Sequence, residues 1–325
     1  MKHIIKTAEG VAIGHPDKIC DQISDAILDE ALRQDPYSRV AVETMGGHSK
    51  IFIVGEITSH AKIDFEQIAK DVYKSCGNND AVSVTINIVQ QSPQIKAGVD
   101  VGGAGDQGIM VGYACNETKE MMPLEVMLSR QLSKAMGPRD GKSQVTVEDG
   151  KITKVVTSVC GDYPAELLKL LKKWGIKEGD TRWLKNPAGE WTIGGFAADT
   201  GLTGRKLIVD NYGPNVSIGG GCFSGKDNTK VDRSAAYMAR KIAVDLLKKE
   251  KAGQVFVRLA YAIGVAEPVM ACAEIHKRGK IKFIPHIKGY DLTPAGIIKF
   301  LNLCKPQFRQ TAMYGHFGNG FKWDK

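Results

Sequence analysis

The run Gly219-Gly220-Gly221-Cys222-Phe223-Ser224-Gly225-Lys226-Asp227, followed at once by Lys230, Asp232 and Arg233, packs flexible backbone, cations and carboxylates into fifteen positions. Backbone amides freed by glycine can turn toward anionic oxygens, lysine and arginine add full positive charge, and aspartate can hold magnesium. The combination suits a polyphosphate bound together with its metal ion. Gly220 to Lys226 also meets the GxxxxGK spacing of a P-loop. However, Asp227 stands where a P-loop needs a hydroxyl, and no clear strand leads into the glycines.

Two further clusters have the same chemistry. Gly14-His15-Pro16-Asp17-Lys18 places an imidazole, a carboxylate and an ammonium at a helix start, where free amides and the helix dipole attract anions. Asp199-Thr200-Gly201-Leu202-Thr203-Gly204-Arg205-Lys206 puts two adjacent cations beyond a double-glycine turn. Asp140-Gly141-Lys142 and Gly103-Ala104-Gly105-Asp106-Gln107-Gly108 say less alone, since such turns occur in any protein. Glu43 and Glu56 fall on the two strands of one expected hairpin, where they could face a cation or an amino group; either residue type is also an ordinary solvent-facing strand residue.

Composition limits the classes. The 325 residues, 43% of them hydrophobic, suffice for two or three domains with their own cores. No apolar run approaches the roughly 18 residues that span a bilayer, and Met1 to Lys6 is too short for a secretion signal, so the chain reads as a cytoplasmic protein without a membrane partner. Seven scattered cysteines with no CxxC pair imply neither a disulfide framework nor a zinc site. The net charge of +8 would suit an anionic partner, but the lysines gather on amphipathic helices such as Leu167 to Lys173, with no aromatic-rich RNA motif beside them. Nucleic acid is not expected to bind.

The elements that must position these clusters recur in one order. A helix from Pro16 to about Leu32 has Ile19, Ile23, Ala26 and Ile27 on one face. A hairpin follows, Arg39 to Met45 and Lys50 to Ile57, turning at Gly46-Gly47-His48-Ser49. A helix near Ile63 to Ser75 and a strand Val82 to Val89, with Val82, Val84, Ile86 and Ile88 on a buried side, complete the unit. The order repeats as helix Pro123 to Met136, hairpin Gln144 to Val159 turning at Asp149-Gly150, helix Pro164 to Trp174 and a strand near Trp191. It appears a third time as helix Asp232 to Glu250, strands Val255 to Ile263 and Val269 to Ile275, and helix Pro294 to Leu303. The pattern predicts an α+β protein of three similar domains around a pseudo-threefold axis, divided at residues 1–103, 104–199 and 200–325.

Over almost its whole length the chain resembles the S-adenosylmethionine synthetase (methionine adenosyltransferase) family. The strings that carry the resemblance are GHPDK (Gly14 to Lys18), DQISDAILD (Asp21 to Asp29), GEIT (Gly55 to Thr58), QSP (Gln91 to Pro93) and GAGDQG (Gly103 to Gly108). They continue with GLTGRK (Gly201 to Lys206), the glycine-rich run through KVDRSAAY (Gly219 to Tyr237), YAIGVAEP (Tyr261 to Pro268) and YGHFG (Tyr314 to Gly318). The resemblance implies three domains of similar topology in a homodimer or homotetramer with active sites between subunits. It also implies a two-step reaction on ATP and L-methionine, in which the sulfur displaces the whole triphosphate from the 5′ carbon and the tripolyphosphate is then cut to pyrophosphate and phosphate. A thioether is a neutral nucleophile with no proton to lose, so such a site needs alignment and electrostatic stabilisation of the leaving group rather than a strong base.

By position, the resemblance puts His15 beside the bridging oxygen of the leaving group, and Asp17 and Asp232 on Mg2+. Lys142, Arg205, Lys206, Lys226 and Lys230 fall around the triphosphate, with Cys222 in the ATP-binding loop, and Glu43 at a K+ site. Glu56, Gln91, Asp106, Asp199 and Lys230 fall around methionine, while Asp140, Asp199 and Trp191 lie on the nucleotide side. Glu9 matches an acidic residue of the N-terminal stretch. The chain departs from the family at Ile13, where a glutamate is common, and at Ala8, Gly10 and Ala12, where serines are usual. Trp191 replaces a phenylalanine, Glu190 a basic or neutral residue, and the gate segment from Gln91 to Asp106 is short. These departures admit one alternative, a catalytically degenerate paralogue that binds nucleotide or an active partner subunit.

Overall fold

The computed structural model describes residues 3–90 and 102–325. Three four-stranded sheets organise it, and each is built on one hairpin. The hairpins are β2 (Arg39–Gly47) with β3 (Lys50–Thr58), β6 (Gly141–Glu148) with β7 (Lys151–Val159), and β10 (Gln254–Tyr261) with β11 (Met270–Lys277). The outer edge of the first is lined in parallel by β4 (Ser83–Val89) and that of the second by β8 (Trp183–Lys185); the third is flanked antiparallel by β12 (Lys280–Ile284). The remaining edge of each hairpin takes an antiparallel strand from another part of the chain. β1 (Ile5–Val11) joins β6, β5 (Gly108–Cys115) joins β10, and β9 (Gly201–Leu202) joins β2.

The exchange is cyclic, so the three repeats are stitched to one another by backbone ladders. Sheet membership therefore crosses the linear divisions at residues 103/104 and 199/200 that the repeat pattern suggested. A long helix covers each sheet: α1 (Pro16–Gln34) on the first, α3 (Leu124–Met136) on the second, α6 (Val231–Glu250) on the third. α2 (Phe65–Ser75), α4 (Ala165–Lys173), α5 (Leu207–Asp210), α7 (Pro294–Leu301) and α8 (Phe308–Met313) complete the helices of the described residues. One core runs from Ile19, Ile23 and Val42 of the first unit to Val244, Val257 and Phe317 of the third; a second lies under the central hairpin with Leu132, Val145, Val155 and Leu171.

Two expectations change. Trp191 lies in irregular chain, and the short parallel strand of that unit is Trp183–Lys185. The expected buried side of β4 is only half covered, with Ile86 42% exposed; β4 is the edge strand of its sheet, and no further strand of the described residues pairs with its outer side. Helix α1, in contrast, is buried well beyond an apolar stripe. Asp17, Lys18, Asp21, Gln22, Ser24 and Asp25 are as enclosed as Ile19 and Ile23. A helix that buries charges must pair them, and the site is built from those pairs.

Candidate active site

His15 is the N-cap of α1, with Pro16 in the first helical position where its missing N–H costs nothing. Its Nδ1 accepts the Asp17 backbone N–H at 3.2 Å, so the ring proton sits on Nε2. Burial, reinforced by the Lys206 and Lys142 charges against the pull of Asp17, pushes the imidazole pKa down to about 3. His15 is thus a neutral Nε2–H donor among cations.

Asp17, 1% exposed, binds the segment that carries Arg205 and Lys206. Its Oδ1 accepts the Leu202 N–H at 3.0 Å and lies 3.2 Å from Arg205 Nε, while Oδ2 accepts from Lys206 Nζ. Burial alone would raise this carboxyl; the Lys206 hydrogen bond and the Leu202 amide outweigh it and hold the pKa below the usual carboxylate range. Gly201 makes the approach possible, since a Cβ there would fall 2.2 Å from the Pro16 carbonyl carbon. Lys142 lies exposed on β6 opposite Val11, and reaches His15 through its field.

A second group surrounds the glycine-rich loop, which runs along the edge of β2 beyond β9. Val42 N–H donates to the Gly225 carbonyl at 3.1 Å and Asp227 N–H to the Val40 carbonyl at 3.0 Å. Lys226 Nζ donates to Asp232 Oδ2 at 2.7 Å. Burial would lower the Lys226 pKa, but Asp232, Cys222 and Glu43 around it raise it, so the ammonium stays charged. Asp232 lies flat against Gly221, whose Cβ would stand 2.1 Å from the carboxyl carbon. Glu43 and Glu56 share the face of the β2–β3 hairpin that points away from α1; burial and the Glu56 charge raise the Glu43 pKa while Lys226 opposes. The loop at Gly204 packs on Cys222, so the two groups stand side by side.

A third region is a pocket of about 540 Å³ between the Asn78, Arg139 and Gly194 segments. Asp140 lies in its wall and accepts the Gly195 N–H at 3.0 Å. Burial, aided by Asp199, raises the Asp140 pKa to about 6 against the Gly195 and Gly141 amides and Lys142. Trp191 does not line this pocket; Thr192 and Ile193 do, while the Trp191 carbonyl accepts the Gly161 N–H at 2.8 Å.

Other candidates fall outside these groups. Lys230 is committed to the buried Asp227 at 2.6 Å. Asp106 and Asp199 are exposed, each accepting the amide of the next residue at 2.7 Å. Gln91 lies outside the described residues, as does most of the segment up to Asp106. Glu190 accepts from Asn186 Nδ2 at 2.6 Å, and Ile13 is buried with its carbonyl accepting from Gln22 Nε2. Glu9 is exposed on β1 opposite Gln144. Lys18 and Arg233, read from the sequence as cations for an anionic ligand, are instead fully buried against Asp21 and Asp25 and cannot reach one; sequence reasoning gave no role to those two aspartates, which hold the two cation loops and whose four-residue spacing was the available signal.

Among the described residues no three His, Cys, Asp or Glu side chains converge on one point. Asp17 and Asp232 each offer a single carboxylate beside lysine, which fits Mg2+ completed by phosphate oxygens and water rather than an all-protein cage.

Family models describing S-adenosylmethionine synthetase match three stretches: the N-terminal domain over residues 3–97, the central domain over 101–173 and the C-terminal domain over 193–325. An S-adenosylmethionine synthase of Brachyspira hyodysenteriae is 42% identical over 382 aligned positions covering 100% of this chain and 96% of the relative. One of Sulfurovum sp. is also 42% identical, covering 99% and 95%, and one of Staphylococcus epidermidis is 41% identical, covering 98% and 94%. With all three domain models in order and relatives aligned from end to end, the chain belongs to the S-adenosylmethionine synthetase family.

Proposed function

We propose that the chain is an ATP:L-methionine S-adenosyltransferase. The methionine sulfur lone pair forms the bond to the ATP 5′ carbon as the carbon–oxygen bond breaks. The electron pair leaves with the triphosphate, and the product is a sulfonium. Water then divides the tripolyphosphate into pyrophosphate and phosphate. The observation that carries this reading is the neutral His15 Nε2–H donor beside Asp17, Arg205 and Lys206, with Lys142 close by. A neutral donor can hydrogen-bond the departing oxygen without adding a further cation, and the fixed cations stabilise the charge that develops on the leaving group.

Asp17 and Asp232 would hold Mg2+, and Glu43 with the nearby Glu56 would hold K+ or the methionine ammonium. Bound magnesium supplies neutralisation of the phosphate oxygens. Lys206, Arg205, Lys226 and Lys142 orient the triphosphate, and Lys230 would join them only by releasing Asp227. Asp140 would accept from the ribose, with Asp199 and Trp191 near the adenosine, while Glu56, Gln91, Asp106 and Asp199 would position methionine.

A homodimer is the assembly we favour. The open face of the β9–β2–β3–β4 sheet exposes Met45 (46%), Phe52 (38%), Val54 (45%) and Leu202 (38%), and the same face carries Glu43 and Glu56. A second copy covering this apolar surface would put its own groups against those carboxylates, completing a site neither copy has alone. Light scattering tests this: Phe52→Asp should give monomers that lose transfer together with assembly, and monomeric wild type with full activity would overturn it. No helix among the described residues is long and apolar enough to cross a membrane.

A further inference from the structure

Helix α1 carries Asp17, Asp21, Asp25 and Asp29, one carboxylate every four residues and therefore on one face at intervals of about 6 Å. Each accepts backbone amides from a distant segment. Asp17 takes the Leu202 N–H, Asp21 Oδ1 the Gly204 N–H at 2.8 Å, Asp25 Oδ1 the Gly225 N–H at 2.8 Å, and Asp29 the N–H groups of Gln307 and Phe308 at 2.9 Å. The two middle rungs repeat one device. Gly204 immediately precedes Arg205-Lys206, and Gly225 immediately precedes Lys226.

Both glycines adopt left-handed φ, +82° and +81°, and both are hemmed in: a Cβ would fall 2.7 Å from Cys222 Cβ at Gly204 and 1.9 Å from the Val42 carbonyl oxygen at Gly225. Each aspartate is in turn held by a buried cation. Lys18 Nζ bridges Asp21 at 2.9 Å and Asp210 at 2.5 Å. Arg233 grips Asp25 with two prongs at 2.6 and 2.8 Å, and its Nη1 also donates to the carbonyls of Phe223 and Lys226 at 2.9 and 3.1 Å. Asp25 and Arg233 are fully buried and Asp21 is 1% exposed, so these groups cannot reach a substrate. Enclosing such charges is expensive, and an apolar helix face would pack at less cost. What the carboxylates add is direction, because each fixes one loop amide at one height along the helix that presents His15 at its end.

We propose that Asp21 and Asp25, locked by Lys18 and Arg233, are positioning residues that set Arg205-Lys206 and Lys226 respectively in register with His15. The inference rests on the reading of those lysines and the arginine as polyphosphate ligands. It predicts selectivity between loops, which a general stabilising role would not produce.

The experiment crosses D21N and D25N with K206M and K226M in the full chain. It measures the dissociation constant of inorganic tripolyphosphate by calorimetry in magnesium-free, EDTA-containing buffer, where hydrolysis does not proceed, alongside S-adenosylmethionine formation with Mg2+ present. Each aspartate variant alone should weaken tripolyphosphate binding about tenfold. D25N should add less than about twofold on K226M yet its full factor on K206M, and D21N should show the mirror pattern. If D25N does not fold, Arg233→Lys replaces it, since an ammonium cannot make the two-pronged contact and also reach both carbonyls. Aspartate effects that multiply equally with either lysine variant, or folded variants with unchanged affinity, would overturn the proposal. Wild type that binds tripolyphosphate but forms no sulfonium would refute the transferase reading while leaving the cycle interpretable.

Discussion

Lys206→Met tests the electrostatic logic of the first cation loop. The substitution keeps the side chain's bulk, removes its charge, and leaves Asp17 Oδ2 without its hydrogen-bond donor in a place that is 1% exposed. Breaking a buried pair by deleting one partner costs about 3–5 kcal/mol. Asp17 would keep the Leu202 amide and the Arg205 contact on Oδ1, so the loss should sit at the lower end, about 3 kcal/mol. The assay is unfolding in EDTA-containing buffer, repeated for Asp17→Asn and the double variant. The double variant should be more stable than the sum of the single losses predicts, because it removes both charges together. Magnesium should then stabilise Lys206→Met more than wild type, since the freed carboxylate no longer competes with an ammonium. A Lys206→Met protein within about 0.5 kcal/mol of wild type, or strictly additive losses, would refute the reasoning.

His15→Asn should slow S-adenosylmethionine formation by about a hundredfold or more while slowing hydrolysis of added tripolyphosphate far less, because only the first step breaks the carbon–oxygen bond; parallel kinetics of the two steps check this, and equal losses would contradict it. Lys226→Met should cost about 2–4 kcal/mol of transition-state stabilisation in kcat/KM, and an unchanged value would remove Lys226 from the triphosphate site. The Asp140 carboxyl, raised to about 6 by burial and the Asp199 charge, lies above the ordinary aspartate value. Its contribution to stability is therefore complete below about pH 4 and lost as pH rises through 6. Because Asp140 is only partly enclosed, solvent limits the effect to about 1 kcal/mol. Asp140→Asn should accordingly gain on wild type between pH 4 and 7 in thermal unfolding, and a constant difference across that range would count against the shift.

Much of the fold was legible because its signals are local. Pro16 at a helix start, the Gly46–Ser49 and Asp149-Gly150 turns, and the periodic faces of α2, α4 and α7 each declare themselves within a dozen residues. The elements that escaped are those whose partners are remote. β1 pairs with β6 well over a hundred residues away, β5 hides behind a glycine-rich run that reads as a loop, and β9 is two residues long. The short helix α8 exists because Asp29 accepts the amides of its first turn, a contact invisible from its own sequence. The site divides in the same way. His15, Asp17, Arg205, Lys206 and Lys226 stood out because cations and carboxylates crowd glycines. Lys230 was drawn in by proximity in sequence, yet its side chain turns to Asp227. The carboxylates that hold the cation loops carry no local signal of that task, and only the fold reveals that the first ten residues of α1, Pro16 to Asp25, are all buried.

Product stoichiometry tests the central claim most directly. The purified chain, incubated with ATP, methionine, Mg2+ and K+, should form S-adenosylmethionine, pyrophosphate and phosphate in equal amounts, and all three should fall together when methionine is withheld. Tight binding of an ATP analogue with no sulfonium product, even at high methionine, would contradict the transferase account and point to a nucleotide-binding or partner-subunit role.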